Sequence, residues 1–212
     1  MIPVTLEWQH PLRDVTVPEG EIDWDALADD ERRFTPLTDE IRPRSFTLIN
    51  LENPISVAMA NCRTFQDFRA FINNYGFPWE KDQAEVWQLI SHSKDMNRYL
   101  AACSDPPAAK LEAALLIRDR FTIESDIHFS PTTGNPELAV KVATPFEFMC
   151  LEVLYAFEVG ASFQRCEWCS NGFLTGTATG RRNTSRFCRE SCRQTALRHR
   201  NKAQGDKTNV RK

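Results

Sequence analysis

Residues 165–202 read RCEWCSNGFLTGTATGRRNTSRFCRESCRQTALRHRNK, and they hold four of the seven cysteines in the chain. The four fall in two pairs, Cys166-x2-Cys169 and Cys188-x3-Cys192, with eighteen residues between the pairs. Two residues between Cys166 and Cys169 make a tight knuckle that aims both sulfurs at one point. Cys188 and Cys192 lie four apart and face the same way if Cys192 sits in the first turn of a helix. Thiolates are among the commonest ligands of Zn²⁺, which takes four of them in a tetrahedron. A lone CxxC also fits a redox dithiol or a disulfide, but the second pair at this spacing favours metal. Four cysteines leave no coordination position open, so the expected ion is one structural Zn²⁺ held by Cys166, Cys169, Cys188 and Cys192.

Around the cysteines, Gly172 supplies a turn, and Phe173 and Leu174 start a short strand over the knuckle. TGTATGRRN reads as a flexible loop, TSRFC as a returning strand and SCRQTALRHRNKAQ as a helix. The expected finger is therefore a treble-clef-like unit: knuckle, hairpin and a helix carrying the last ligand. Cys62, Cys103 and Cys150 fall inside helical patterns and are read as core.

The charge is divided along the chain. Residues 163–212 hold twelve Lys/Arg against three Asp/Glu, whereas the whole chain has 26 against 29. A basic tail on an acidic body suggests a polyanion partner, with docking of the tail on its own body as the alternative. Arg181, Arg182, Arg186, Arg189, Arg193, Arg198, Arg200 and Lys202 are the candidate nucleic-acid contacts, because guanidinium forks match phosphate. Arg189, Arg193 and Arg200 fall near one helix face, Ala196 and Leu197 are placed against the hairpin, and GTATGRR offers free backbone N–H groups. Double-stranded DNA is the first expectation, and RNA stays open.

The stretch from Phe163 to Arg200 resembles the C-terminal zinc finger of the CGNR family of bacterial transcription regulators. The resemblance lies in the Cys pair, the aromatic after it, the Arg-rich turn, the Phe187–Cys188 pair, the last Cys and the basic helix. FTLINLENP and CRTFQDFRAFINNYGF echo that family's upstream helical part, the ABATE domain. Where the family signature has Gly-Asn-Arg after the last cysteine, this chain has Arg-Gln-Thr. The resemblance implies that Cys166, Cys169, Cys188 and Cys192 bind zinc, and that the finger binds DNA in a regulator.

The rest of the chain reads as mainly α. Residues 1–45 form an acidic, proline-interrupted segment, with a strand alternating Val4, Leu6 and Trp8 and a short helix over 24–33 capped by Asp23. The prolines at 36 and 43 are expected to end any regular element, and SFTLINLENP reads as a strand or an extended lead-in. Residues 46–160 form a helical domain expected to sense a small ligand or to dimerise. Thr64 caps a helix with Phe65, Phe68 and Ile72 on one face and Gly76 after its end. A second helix covers about 82–103, and a third follows the prolines of DPPAAKLEAALLIRDRF. Residues 130–136 read as a polar connection. Thr144, Pro145 and Glu147 open a nearly all-apolar helix that Gly160 ends. Residues 161–204 are the finger, and 205–212 a disordered tail.

An enzyme is not expected. ESDIH at 124–128 reads as a polar loop rather than a metal site, and His199 as solvent-facing or beside a phosphate. His10, His92 and His128 lie far from the finger, so the histidine cluster of an HNH nuclease is missing, and no P-loop, GxSxG or HExxH occurs. No run of eighteen apolar residues occurs, and MIPVTLEWQHPLRD lacks the features of a secretory signal. A reducing, cytoplasmic setting is expected, in which the alternative to a nucleic-acid regulator is a zinc-stabilised protein-interaction module.

Overall fold

The computed structural model describes residues 4–11, 14–22, 24, 32–79, 82–120, 124–129 and 136–209. In chain order they form β1 (Val4–Pro11), β2 (Arg33–Phe34), β3 (Ile41–Leu48), α1 (Ile55–Ala60), α2 (Phe65–Tyr75), β4 (Ala84–Glu85) and α3 (Val86–Ala101). A short 3-10 turn, Ala102–Ser104, precedes α4 (Pro107–Arg118). Then come β5 (Glu124–Phe129), β6 (Pro136–Lys141), α5 (Pro145–Glu158), β7 (Ser162–Arg165), β8 (Gly172–Thr175) and α6 (Glu190–Asn209). Helices dominate the described residues, as expected, and the cysteine-rich unit follows them.

Local chemistry explains the helices that the sequence announces. Thr64 accepts from the Asp67 N–H while the Asp67 carboxylate accepts from the Thr64 N–H, a complete capping box at α2. Thr144 and Glu147 repeat the arrangement at α5, with Pro145 in the first turn. Gly160 follows α5 with φ 66°, a left-handed conformation that suits glycine.

A four-stranded mixed sheet in the order β3-β1-β6-β5 was not expected. β1 runs antiparallel to β3 and parallel to β6, and β5 and β6 are antiparallel. Val4, Leu6 and Trp8 are buried as their alternation requires, and α2 and α5 pack on β1. ESDIH therefore belongs to strand β5 rather than to a polar loop. Pro43 does not end an element either: it lies inside β3, opposite Gln9. β3 is an edge strand, where a residue without an N–H can be accommodated. The helix expected over 24–33 falls mostly outside the described residues, as does the connection 130–135, but Arg33 at the end of that helix belongs to β2.

Helix α1 was also unexpected. Its N-terminus has no side-chain cap of its own. Instead the buried carboxylate of Glu152, on α5, accepts from the N–H groups of Ile55 at 2.9 Å and Ser56 at 2.6 Å. Met59, Leu89, Ile90, Met96, Met149 and Val153 join these helices in one core that also takes in Val4, Leu6 and Trp8 from β1. The proline-interrupted N-terminal segment thus shares its core with the helices. Cys62, Cys103 and Cys150 are buried in the same core, as read from the sequence.

Candidate metal centre

The knuckle is the tip of a hairpin. β7 and β8 pair antiparallel from Ser162↔Thr175 to Arg165↔Gly172, so Cys166 follows directly from one strand and Cys169 leads back to the other. The Cys166 N–H donates to the Asn171 carbonyl and the Ser170 N–H to the Cys166 carbonyl, both at 2.9 Å. Ser170 takes φ 61° to close this turn. The strand expected from TSRFC is absent: residues 184–188 form a turn, an irregular stretch and a bend, and the partner of β8 is β7, upstream of the knuckle. The Glu167 N–H still reaches the Arg186 carbonyl at 3.1 Å, which lays the second cysteine pair against the first. Cys192 is the third residue of α6, with Cys188 one helical turn before it, as expected.

The four sulfurs converge. All lie within 4.8 Å of one another, and they form the cluster of ligating side chains found among the described residues. Cys169–Cys188, Cys188–Cys192 and Cys192–Cys169 are separated by 3.6, 3.7 and 3.8 Å. Four thiolates at about 2.3 Å from a tetrahedral ion stand about 3.8 Å apart, so these edges fit a metal of that size. They do not fit disulfides, whose sulfurs lie about 2.05 Å apart, and all four thiols are free.

The thiols differ in acidity. Burial acts to raise the Cys166 thiol, but backbone N–H groups of Cys169, Cys188 and Trp168 outweigh it and bring the value down to about 6. Burial raises Cys169 and Cys188, and neighbouring thiols add to the rise of Cys188. These contacts favour a first thiolate at Cys166, and its charge opposes a second beside it. A divalent cation reverses that opposition, which is how a site of this kind couples metal uptake to proton release.

Phe173 packs behind the sulfurs, with Phe187 half-buried beside it, in a small cluster made mostly of the cysteines themselves. The other side of the hairpin belongs to the body. Ala161, Phe163 and Leu174 are part of the main core. The Asn61 side chain donates to the Gly172 carbonyl at 2.9 Å and accepts from the Gly172 N–H at 2.6 Å. Ser104 does the same for Phe163, at 2.9 and 3.0 Å. A Cβ at Gly172 would lie 2.2 Å from the Phe163 ring, so only glycine fits there. Asn61 and Ser104 carry no sequence signal for this role, because their partners lie 111 and 59 residues away.

The loop after β8 is fixed rather than flexible. A bridge between Gly176 and Arg181 closes it, Thr179 is buried, and the Leu51 N–H donates to the Ala178 carbonyl at 2.8 Å. Several of its N–H groups are used internally: Thr179 to the Gly176 carbonyl, Gly176 to the Arg181 carbonyl and Arg181 to the Thr179 hydroxyl. The free backbone donors expected of GTATGRR are correspondingly reduced.

The arginines divide into two groups. Arg181 donates to the Glu52 carbonyl at 3.0 Å and Arg165 to the Asn97 side chain at 2.7 Å, both on the body. Arg186 pairs with Glu167, and Arg193 forks onto Glu190 at 2.6 and 2.8 Å. Arg189 sits beside the Cys192 sulfur, which raises its pKa. Arg182, Arg198, Arg200 and Lys202 are exposed, and their side chains make no hydrogen bond or ion pair with a described residue. Over residues 190–202, helix α6 is exposed around most of its girth: Cys192 is buried, Ala196 half-buried, and Leu197, expected against the hairpin, is 40% exposed. The helix runs on to Asn209, past the expected boundary at 204 and into the segment expected to be disordered. No helix among the described residues is long and apolar enough to cross a membrane. No protein-family model, curated protein or solved structure matches the chain.

Proposed function

We propose that Cys166, Cys169, Cys188 and Cys192 hold one structural Zn²⁺, and that the basic surface fixed by the metal binds nucleic acid, with duplex DNA the first choice, in a transcription regulator. The observation that carries the metal is the set of sulfur separations of 3.6, 3.7 and 3.8 Å at zinc-ligand spacing in the sequence. All four donors are thiols, so no position is open to a substrate and the ion is structural rather than catalytic. The nucleic-acid reading is supported by the excess of cations at the metal and by the exposed, unpaired Arg182, Arg198, Arg200 and Lys202. The described ion pairs of the finger's arginines go to its own Glu167 and Glu190, not to acids of the body. Among the described residues, the body's acids therefore take no part in these ion pairs.

Elemental analysis of the purified chain is expected to give one zinc per chain, lost when Cys188→Ser and Cys192→Ser are combined. Mobility shift of the full chain on duplex DNA tests the second part. Binding through several phosphates loses orders of magnitude between low and moderate salt, with a log–log slope of about −0.9 per neutralised phosphate. Zinc-loaded protein that binds no nucleic acid at low salt leaves the interaction module as the function. That second reading has an observation of its own: the finger already engages protein surface, through Arg165 on Asn97 and Arg181 on Glu52.

A further inference from the structure

Between the two knuckle cysteines stands Trp168. It lies in the turn at 167–169, and Glu167 before it donates its N–H to the Arg186 carbonyl, yet the residue is 42% exposed. The indole lies against His199 of the helix, with ring centroids 5.7 Å apart and planes inclined by 57°. His199 follows Cys192 and Ala196 at i+7 and i+3, along the side of α6 that turns toward the knuckle. Arg198 and Lys202 lie on one flank of His199 and Arg200 on the other, all exposed and unpaired among the described residues. The result is an open aromatic step, set on the turn between Cys166 and Cys169 and bordered by free cations.

A large apolar ring left open to water amid positive charge is poorly suited to an apolar protein partner, which the surrounding cations would oppose. It is equally poorly used by a closed duplex, whose bases are stacked and whose phosphates meet only the cations. It does suit a base that is not stacked in a duplex, since every base offers a π face and its phosphates reach the flanking guanidinium and ammonium groups. We infer that Trp168, backed by His199, is a stacking site for an unpaired base, so that the finger prefers nucleic acid with a single-stranded segment over closed duplex. The inference rests on the nucleic-acid reading above and revises its first choice of duplex.

The test compares oligo(dT) with a blunt hairpin duplex of equal phosphate number, using the full zinc-loaded chain and its Trp168→Ala, Trp168→Leu and Trp168→Phe variants. The chain has five tryptophans, so the difference in emission between the native chain and Trp168→Phe isolates Trp168. Oligo(dT) is expected to quench that difference emission and the duplex is not. Trp168→Ala and Trp168→Leu are expected to weaken oligo(dT) binding roughly 5- to 150-fold with little change on duplex, while Trp168→Phe keeps most of the affinity. If Trp168 only props α6 against the knuckle, Trp168→Leu retains affinity, both ligands lose alike in Trp168→Ala, and no quenching appears. That result overturns the stacking site and leaves backbone binding intact. Absence of binding to either oligonucleotide overturns the nucleic-acid reading along with it.

Discussion

Asn61 closes α1 and also serves β8 as a one-residue strand, satisfying both backbone groups of Gly172. Removing its amide leaves a buried N–H and a buried carbonyl unpaired, which costs about 1–3 kcal/mol. Asn61→Ala is expected to lower the thermal midpoint by roughly 2–4 °C for each kcal/mol lost, measured on the metal-loaded chain. Glu152 makes a different single-residue prediction. Burial raises its carboxyl from 4.5 to about 7, against the pull of the Ile55 and Ser56 N–H groups and the Ser56 hydroxyl. Between those values the folded chain holds a proton that the unfolded chain has released. Protonation therefore favours the fold, and this contribution is complete below pH 4.5 and lost as pH rises through about 7. Denaturant titrations across that window are expected to show stability falling by up to roughly 3 kcal/mol from this group, and Glu152→Gln is expected to flatten the slope.

At the scale of elements, the proposed metal and the body would hold different parts of the finger. The core around the sulfurs contains Cys166, Phe173 and Cys192 with half-buried Cys169, Phe187 and Cys188, too little apolar surface to stand without the ion. Chelation is expected to melt α6 and the knuckle, while Phe163 and Leu174 keep the base of β7 and β8 in the main core. Far-UV circular dichroism should then lose the contribution of one helix, and the amides of Phe163 and Leu174 should remain protected from exchange. The same division explains what was legible in the sequence. Helices α2 and α5 announce themselves because Thr64–Asp67 and Thr144–Glu147 are local pairs. Helix α1 is silent, since its cap comes from Glu152, 97 residues downstream. The convergence of the four cysteines was readable from spacing, but the pairing of β8 was not. Strand partners are chosen by non-local packing, and Phe163 entering the body core selects β7 over the segment expected to return. Trp168 was equally mute: its exposure depends on where α6 places His199.

Across the whole molecule, the finger's cations are not equivalent. Arg198, Arg200 and Lys202 are unpaired among the described residues, whereas Arg186 and Arg193 already face Glu167 and Glu190. If phosphate contact is made by the free groups, alanine at Arg198, Arg200 or Lys202 should each reduce the salt slope of binding by about one unit. Alanine at Arg186 or Arg193 should change it less, because an internal ion pair must first be given up. Salt titrations of the five single variants check this ordering. The way the hairpin is seated has a consequence for dissection and for inheritance. Ala161, Phe163 and Leu174 are the floor of the finger and also wall material for the body, and the Leu51–Ala178 bond stitches the far loop to the chain ahead of α1. Cutting before residue 161 would strip hydrophobic lining from one fragment and strand it, wetted, on the other. The finger is therefore not a detachable unit: moving it to another host would require a matching socket that supplies an Asn61, a Ser104 and a receiving hydrophobic wall.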